Sequence, residues 1–198
     1  TPTLSSAASD VYKRQERIHT IRRPRPDDFQ IKEAAELIKK SKKPIIIAGG
    51  GVFYSDATEE LSDFAKKHNI PVTQTVMGYS SMKKDHTHYL GTIGGLGGRA
   101  ANNLSKETDT AIAIGTKLAD FTTGSWANFE NPNFKLVSIN AARFDANKHM
   151  AQAIVGDAKV SLMELSQALG SWKADDSWYK KSRKELKDWE AYVDKESG

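Results

Sequence analysis

The sequence predicts an α/β fold of the Rossmann-like type, a parallel sheet of about five to six strands with helices on both faces, followed by a C-terminal linker helix. The first observation is a set of short apolar segments without a polar side, such as Pro44–Ala48 and Thr110–Ile114. Strands of this kind are typical of parallel sheets that helices cover on both faces. The second is that segments with helical periodicity separate them, which favours βαβ connections. The third is the absence of cysteine, which excludes a disulfide scaffold and a cysteine nucleophile.

The first half of the chain contains two predicted helices, each followed by a strand. Apolar residues at helical spacing mark the buried helix faces, which are Ile31, Ala34, Ala35 and Ile38 in the first helix and Ala57, Leu61, Phe64 and Ala65 in the second. We expect Asp56 with Glu59 to cap the second helix and Asn69 to end it. The strands are predicted at 44–48 and 72–75.

The second half repeats this alternation. Strands are predicted at 110–114, 135–139 and 153–155, each an apolar run that ends in a glycine or a polar residue. A helix is expected from about 99 to 106, and a later one carries Leu162, Leu165 and Leu169 on one stripe. The glycine-rich stretch at 91–98 is a poor strand candidate, and 116–126 is predicted to be a polar loop.

The positive charge of the chain is concentrated at its N-terminus. Residues 1–26 contain six basic and two acidic residues, so they carry the whole formal net charge of +4 and leave a neutral body. That body lacks the basic face that nucleic-acid binding needs. We expect 1–23 to be a disordered leader, of which 1–15 is predicted not to be native. No apolar run reaches the roughly 20 residues of a membrane helix, and a cytoplasmic location is expected.

The remaining residues divide into a domain and a helix. Residues 24–170 are predicted to form the α/β domain, and 171–198 a linker helix toward a missing C-terminal domain. The helix carries an apolar stripe that consists of Trp178, Leu186, Trp189 and Val193. An exposed stripe promotes aggregation. The stripe therefore needs a surface to pack on, and we expect the helix to lead to a missing domain.

The candidate functional residues lie in loops at the carboxyl ends of the predicted strands, where parallel sheets bind ligands. The candidate pocket residues are Gly49, Gly50, Gly51, Gly115, Thr116, Asp120, Thr123 and Gly124. A glycine in such a loop can allow either a ligand or another backbone segment to approach closely. Tight turns without a ligand are therefore the alternative explanation for these glycines. A turn-stabilising acceptor is the alternative role for Asp120, the one acid in a strand-end loop.

Cofactor, metal and catalytic motifs are incomplete. The dinucleotide-binding fingerprint G-x-G-x-x-G needs three glycines, but the run after the first strand has Tyr54 in place of the third. The next strand ends near Gln74, so the carboxylate that would bind the ribose is missing as well. Residues 95–100 match G-x-G-x-x-A but follow a poor strand. His86 and His88 are weak metal-ligand candidates. Neither an NAD site nor a metal site is predicted, and no catalytic residue is assigned because no nucleophile elbow, P-loop or paired-carboxylate motif is present.

A series of short stretches matches one known enzyme superfamily in order and spacing. The stretches are 44–52, 70–72, 85–86 with 90–91, 109–115, Asp120 with 123–124, 139–140 and 154–158. Over about residues 24–170 they resemble the middle domain of thiamine-diphosphate enzymes related to acetohydroxyacid synthase and pyruvate oxidase. Three stretches, 51–59, 120–126 and 144–149, are similar to the branch of hydrolases that open the ring of trihydroxycyclohexane-1,2-dione in inositol catabolism.

The resemblance implies part of a thiamine-diphosphate-dependent hydrolase acting on C–C bonds, with the cyclic dione as substrate. The middle domain would be structural and would line the access channel. Thiamine diphosphate and Mg²⁺ would be bound mainly by flanking domains that these residues do not contain, so the chain alone is expected to be inactive. Flavin is not expected, because hydrolytic ring opening needs no redox cofactor and Lys117 stands where synthase relatives often have arginine.

The resemblance further implies a homodimer or homotetramer for the full-length protein. Two alternatives remain open at this point. One is the middle domain of another thiamine-diphosphate lyase or synthase. The other is a stand-alone nucleotide-binding module.

Overall fold

Helices and strands alternate along residues 22–197, the part of the chain that the computed structural model describes. The helices are α1 (Asp28–Lys39), α2 (Gly50–Tyr54), α3 (Thr58–His68), α4 (Arg99–Glu107), α5 (Asp120–Thr123), α6 (Arg143–Ala146), α7 (Ala158–Leu169) and α8 (Asp176–Ser197). The strands are β1 (Pro44–Ala48), β2 (Val72–Gln74), β3 (Tyr89–Thr92), β4 (Thr110–Ile114), β5 (Lys135–Asn140) and β6 (Gln152–Val155). Two 3₁₀ turns are Val76–Gly78 and Lys148–Met150. The predicted leader lies outside the described residues except for 22 and 23.

The strands form one parallel sheet in the order β3-β2-β1-β4-β5-β6. The chain begins in the centre and winds outward on both sides, so the strand order reverses between β1 and β4. Every residue of β1 and of β4 is buried. Burial on both sides is what helical cover on both faces requires. The predicted fold class is confirmed.

Two apolar cores lie on opposite faces of the sheet. Successive residues of a strand point to opposite faces, and Ile46 accordingly belongs to one core while Ile45 and Ile47 belong to the other. The first core is covered by α1, α3 and α7, whose predicted core faces are buried. The second is covered by α4 and α8. The helices therefore fix the sheet from both sides and leave its carboxyl edge to the loops.

Three local predictions differ from the structure. A strand forms at Tyr89–Thr92, where the sequence predicts none, because an edge strand is half-exposed and needs no continuous apolar run. The predicted cap at Asp56 is wrong, since α3 begins after Ala57 with no side-chain cap and Asp56 has a φ of +53°. The predicted polar loop at 116–126 contains the short helix α5.

Helix α8 packs on the domain itself. Trp178 and Leu186 are buried, and Trp178 Nε1 donates a hydrogen bond to Pro44 O at 2.8 Å. Arg183 Nη1 donates to Tyr89 O at 3.0 Å, on the edge strand β3. These two members of the stripe are therefore covered by the domain itself. Neither α8 nor any other helix between residues 22 and 197 is long and apolar enough to cross a membrane.

Candidate functional site

The loops that follow β1 and β4 meet where the strand order reverses. A dinucleotide binds at this point of a standard Rossmann fold. Here Gly51 N donates a hydrogen bond to Gly115 O at 3.0 Å, and Gly49 N donates to Ile114 O at 2.8 Å. The two loops are therefore in direct backbone contact. The four glycines at this contact, Gly49, Gly51, Gly78 and Gly115, are termed the glycine junction.

The glycine junction has no space for side chains. A Cβ on Gly51 would lie 2.6 Å from Gly115 Cα, and one on Gly115 would lie 2.5 Å from Gly51 Cα. A Cβ on Gly78 would lie 2.2 Å from Ala48 O. Protein interiors are close-packed, and contacts this short with backbone atoms cannot be relieved by turning a side chain. In this structure the lack of side chains at these glycines allows neighbouring backbone segments to lie in direct contact.

Gly50 and Thr116 lie beside the junction. A Cβ on Gly50 would lie 2.8 Å from Met77 O, in the loop that follows β2. Thr116 Oγ1 accepts a hydrogen bond from Leu118 N at 3.2 Å, and Thr116 O accepts one from Asn140 Nδ2 at 3.2 Å. Thr116 thus ties the loop after β4 to the end of β5.

The other three candidate residues lie in or next to α5, which packs on a different loop. Asp120 is exposed at the start of α5, Thr123 is buried, and Gly124 ends the helix with a φ of +59°. Gly95 N donates a hydrogen bond to Phe121 O at 2.9 Å, which joins α5 to the glycine-rich loop after β3. The structure therefore divides the eight candidate residues into two groups. Their role in a pocket stays a prediction.

A cleft of about 260 Å³ opens between the junction and the start of α7. Asp157 lines it and accepts hydrogen bonds from Ser55 Oγ at 2.6 Å and from Arg23 Nη1 at 3.1 Å. Asp157 N also donates to Pro24 O at 2.8 Å. The cleft is smaller than the ~300–1,000 Å³ of most small-molecule sites. Its polar side chains hold the N-terminal segment against the domain.

This cluster of Arg23, Ser55 and Asp157 is the feature of the carboxyl edge that sequence reasoning missed. The sequence places Arg23 in the predicted leader, whereas in the structure its guanidinium forms an ion pair with Asp157 of the domain. The signal for Asp157 is its place directly before α7, where it caps the helix by accepting from Lys159 N at 3.1 Å. No local pattern connects Arg23 with a residue 134 positions further along the chain.

His88, one of the two histidines considered as metal ligands, has a polar partner at each ring nitrogen. His88 Nε2 lies 3.2 Å from Asn69 Oδ1, and His88 Nδ1 lies 3.0 Å from Thr87 Oγ1. Asn69, which ends α3 in the left-handed region as predicted, donates through Nδ2 to Asp176 Oδ1, so its Oδ1 faces His88. His88 Nε2 is therefore the protonated nitrogen of a neutral ring. Within residues 22–197 no group of three or more His, Cys, Asp or Glu side chains could hold a metal ion.

We expect acid to destabilise the domain through His88. Burial, together with the positive charges of His86, Arg183 and Lys66, lowers the pKa of His88 from 6.5 to about 4. The folded state therefore favours the neutral ring. The stability that this contributes is complete above pH 6.5 and is lost as the pH falls from 6.5 toward 4. For this group alone the free energy of unfolding should fall by about 2 kcal/mol between pH 7 and pH 5, measured by urea denaturation.

His88→Gln is the matched control, because glutamine keeps a donor but does not titrate. The pKa values of His68 and His86 are also lowered, mainly by burial, so some pH dependence should remain in this variant. The difference between the two proteins isolates His88. Equal losses of stability between pH 7 and pH 5 would contradict the assignment.

Comparison with known proteins gives a family match that covers most of the chain. Residues 31–165 match the family model described as "Thiamine pyrophosphate enzyme, central domain". The matched range runs from α1 into α7 and includes all six strands. The chain belongs to this family. Thiamine pyrophosphate and thiamine diphosphate are two names for one cofactor.

Similar proteins extend well beyond this central domain. The chain is 44% identical over 155 residues to a Clostridium perfringens (strain 13 / Type A) protein named "3D-(3,5/4)-trihydroxycyclohexane-1,2-dione hydrolase", a match of 78% of this chain and 24% of the relative. It is 43% identical over 155 residues to proteins of the same activity name from Bacillus cereus (strain ZK / E33L) and Bacillus anthracis, with the same coverage. The chain thus spans about a quarter of the length of these relatives.

Two features of the described residues bear on what the carboxyl edge of this central domain could hold. The crevice at the strand-order reversal is closed by backbone contact between Gly51 and Gly115. Between residues 22 and 197, no group of three or more His, Cys, Asp or Glu side chains could hold a metal ion by itself.

Proposed function

We propose that this chain is the central domain of a thiamine-diphosphate-dependent C–C hydrolase that opens the ring of 3D-(3,5/4)-trihydroxycyclohexane-1,2-dione. The observation that carries the proposal is the 43–44% identity, over 155 residues, to relatives that bear this activity in their names. The reaction belongs to the longer protein, since the match covers 24% of each relative.

The role of the domain in this hydrolase is structural and channel-lining. The loops at its carboxyl edge would form part of the wall through which the cyclic dione reaches the catalytic domains. The residues proposed to shape that wall are Gly49, Gly50, Gly51, Gly115, Thr116, Asp120, Thr123 and Gly124. The close-packed glycine junction supports this role, because a wall keeps its shape only when the loops that form it are fixed.

Thiamine diphosphate and Mg²⁺ are the proposed cofactors of the full-length hydrolase, held mainly by parts of the protein outside this chain. When bound, thiamine diphosphate supplies the covalent chemistry of C–C cleavage. Helix α8 is proposed to continue toward the C-terminal catalytic domain, and the full-length protein is proposed to form a homodimer or homotetramer. Nucleic acid is not a proposed partner, given the neutral charge of the body.

NAD should not bind to the chain. The diphosphate of a dinucleotide would need the space in which Gly51 and Gly115 make backbone contact. Titration of NAD into the purified chain, followed by calorimetry, should give no heat of binding, and FAD should behave in the same way. A dehydrogenase with a complete fingerprint serves as the positive control. A micromolar dissociation constant for either dinucleotide would contradict this part of the proposal.

A chimera tests the proposed function. In the Clostridium perfringens relative, the central segment is replaced by residues 22–197 of this chain. The purified chimera should open the dione ring in the presence of thiamine diphosphate and Mg²⁺, with activity of the same order as the parent. The matched control carries the central segment of an acetohydroxyacid synthase and should not support the reaction. A folded but inactive chimera, or an equally active control, would contradict the assignment.

A further inference from the structure

We propose that a cavity at the end of β2 binds a small carboxylate that carries hydroxyl groups, the chemical class of the product of the proposed reaction. The inference rests on the proposed function for the identity of the ligand, whereas the site is built from residues of this chain. The cavity, termed the Gln74 cavity, has a volume of about 370 Å³. Most small-molecule sites have volumes of ~300–1,000 Å³. The residues that line it are Gln74, Tyr79, Ser80, Met82, Lys83 and Lys84.

The amide of Gln74 has one unused hydrogen-bonding atom. Gln74 ends β2 and is 1% exposed. Its Nε2 donates a hydrogen bond to Tyr89 Oη at 3.1 Å, but its Oε1 has no partner among the described residues. Turning the amide over would exchange the two atoms and leave Nε2 without a partner instead. A ligand hydroxyl satisfies either atom, because a hydroxyl both donates and accepts.

A buried polar atom without a partner destabilises the folded state, and native proteins contain few of them. Gln74 keeps such an atom at a position that lines a cavity. A ligand with hydroxyl groups would supply the missing hydrogen bond. The cavity is therefore suited to a hydroxylated compound.

The wall of the Gln74 cavity is positively charged. Lys83 and Lys84 are exposed, and neither forms an ion pair with a described carboxylate. The ammonium of Lys84 lies 5.6 Å from the ring centre of Tyr79. No Asp or Glu is among the described residues that line the cavity. Two ammonium groups without acidic neighbours in the wall favour an anionic ligand such as a carboxylate.

The charge of Lys84 acts close to the Gln74 amide. Burial raises the pKa of the Tyr89 hydroxyl, and the positive charge of Lys84 acts against this rise. That hydroxyl is the group that accepts the hydrogen bond of Gln74 Nε2. One small ligand can therefore place a hydroxyl at the amide and a carboxylate at the lysine.

The amide lies behind side chains that face water. Tyr79 is 59% exposed, and Lys83 and Lys84 are exposed as well, whereas Met82 belongs to the first apolar core. We expect a ligand to reach Gln74 by displacing the exposed side chains and not by moving the sheet. The amide is then a fixed end of the site, and the lysines adjust to the ligand.

The proposed reaction generates a compound of this class. Hydrolysis of a C–C bond beside a ring carbonyl transfers the hydroxyl of water to the carbonyl carbon, which becomes a carboxylate by losing a proton. The other carbon of the broken bond takes up a hydrogen, so the product gains the elements of one water molecule and needs no oxidant or reductant. An uncharged hydroxylated ring thus becomes an open-chain carboxylate that keeps its hydroxyl groups. The two lysines favour this product over the uncharged dione.

Calorimetry on the purified chain at pH 7 and low salt tests the site with three six-carbon compounds. D-gluconate has a carboxylate and hydroxyl groups, sorbitol has only the hydroxyl groups, and hexanoate has only the carboxylate. D-gluconate should bind with a Kd below about 1 mM, and the other two should bind at least about tenfold more weakly. Absence of D-gluconate binding, or equally tight binding of hexanoate, would overturn the proposal.

Variants of the chain locate the binding. Gln74→Met keeps the length of the side chain but removes the amide, and Lys83→Gln with Lys84→Gln removes both charges at exposed positions. Each should weaken D-gluconate binding at least about tenfold. The lysine variant should stay folded, as measured by circular dichroism, because surface substitutions cost little stability.

Lys184→Gln with Lys187→Gln is the matched control, because these two exposed lysines of α8 lie outside the lining of the Gln74 cavity. It removes the same charge and should change the Kd for D-gluconate by less than about twofold. Binding that survives the Lys83 and Lys84 substitutions, or that falls equally in the control, would overturn the site.

The ring-opened product, generated from the dione by the Clostridium perfringens relative, tests the identity of the ligand. It should bind to the chain at least as tightly as D-gluconate, and the uncharged dione should bind at least about tenfold more weakly. Weaker binding of the product than of the dione would overturn the proposal. An active chimera, together with a chain that does not bind D-gluconate, would overturn the site and leave the proposed function standing. A chain that binds D-gluconate, together with a folded but inactive chimera, would support the site and contradict the proposed function.

Discussion

Gly115→Ala should lower the free energy of unfolding of the domain by about 2–5 kcal/mol. A left-handed backbone costs a non-glycine residue about 1–2 kcal/mol, and Gly115 has a φ of +59°. Overpacking adds about 1–3 kcal/mol, since the new methyl group would lie 2.5 Å from Gly51 Cα. The clash is between two backbones that the sheet fixes, so we expect the upper half of the range. Urea denaturation at pH 7 measures the change.

Gly124→Ala is the matched control for Gly115→Ala. Gly124 has the same φ of +59°, but its Cβ position is 3.6 Å from the nearest atom, which is an ordinary contact. This variant should cost only the backbone term of about 1–2 kcal/mol. If both variants had the same effect, the glycine junction would not be close-packed, and the crevice at the strand-order reversal would again be available to a ligand.

Trp178→Ala should destabilise the domain by about 3–5 kcal/mol. The indole lies in the first turn of α8 and is buried against the domain, where it donates a hydrogen bond to Pro44 O at 2.8 Å and has the Lys43 ammonium 5.6 Å from its ring centre. Its loss leaves a cavity and removes the partner of a buried carbonyl. Thermal and urea unfolding, followed by circular dichroism, measure the change.

Two variants separate the contributions at this contact. Trp178→Phe keeps most of the packing but leaves Pro44 O without its donor, so we expect a loss of about 1–3 kcal/mol. Val193→Ala lies on the same helix at a partly exposed position and should change stability by less than about 0.5 kcal/mol. A Trp178→Ala variant as stable as Val193→Ala would mean that α8 is not docked on this domain.

The parts of the fold that could be predicted from the sequence are those whose burial can be read from a short stretch of residues. The strands β1 and β4 are apolar on both faces, and this composition alone identifies a central parallel strand. The edge strand β3 could not be found in this way, because only Leu90 of its four residues is buried and Gly91 interrupts the run. Edge strands have fewer constraints on their side chains, so they leave a weaker signal.

The candidate site shows a second limit. The glycines after β1 and β4 stand out in the sequence, but the contact between Gly51 and Gly115 depends on the strand order, which no local pattern contains. The same reason explains the apolar stripe of α8. Its periodicity is correctly predicted, yet the surface that covers Trp178 includes Pro44, which lies 134 residues earlier in the chain.

The central proposal is that this chain is a structural domain of a longer hydrolase whose catalytic apparatus lies in other parts of the protein. The most direct test is an assay for hydrolysis of the cyclic dione by the folded, isolated chain. Thiamine diphosphate and Mg²⁺ are present, and the chimera is assayed in parallel. We predict turnover by the chimera and none above the protein-free rate by the chain alone. Ring opening by the isolated chain would contradict the claim.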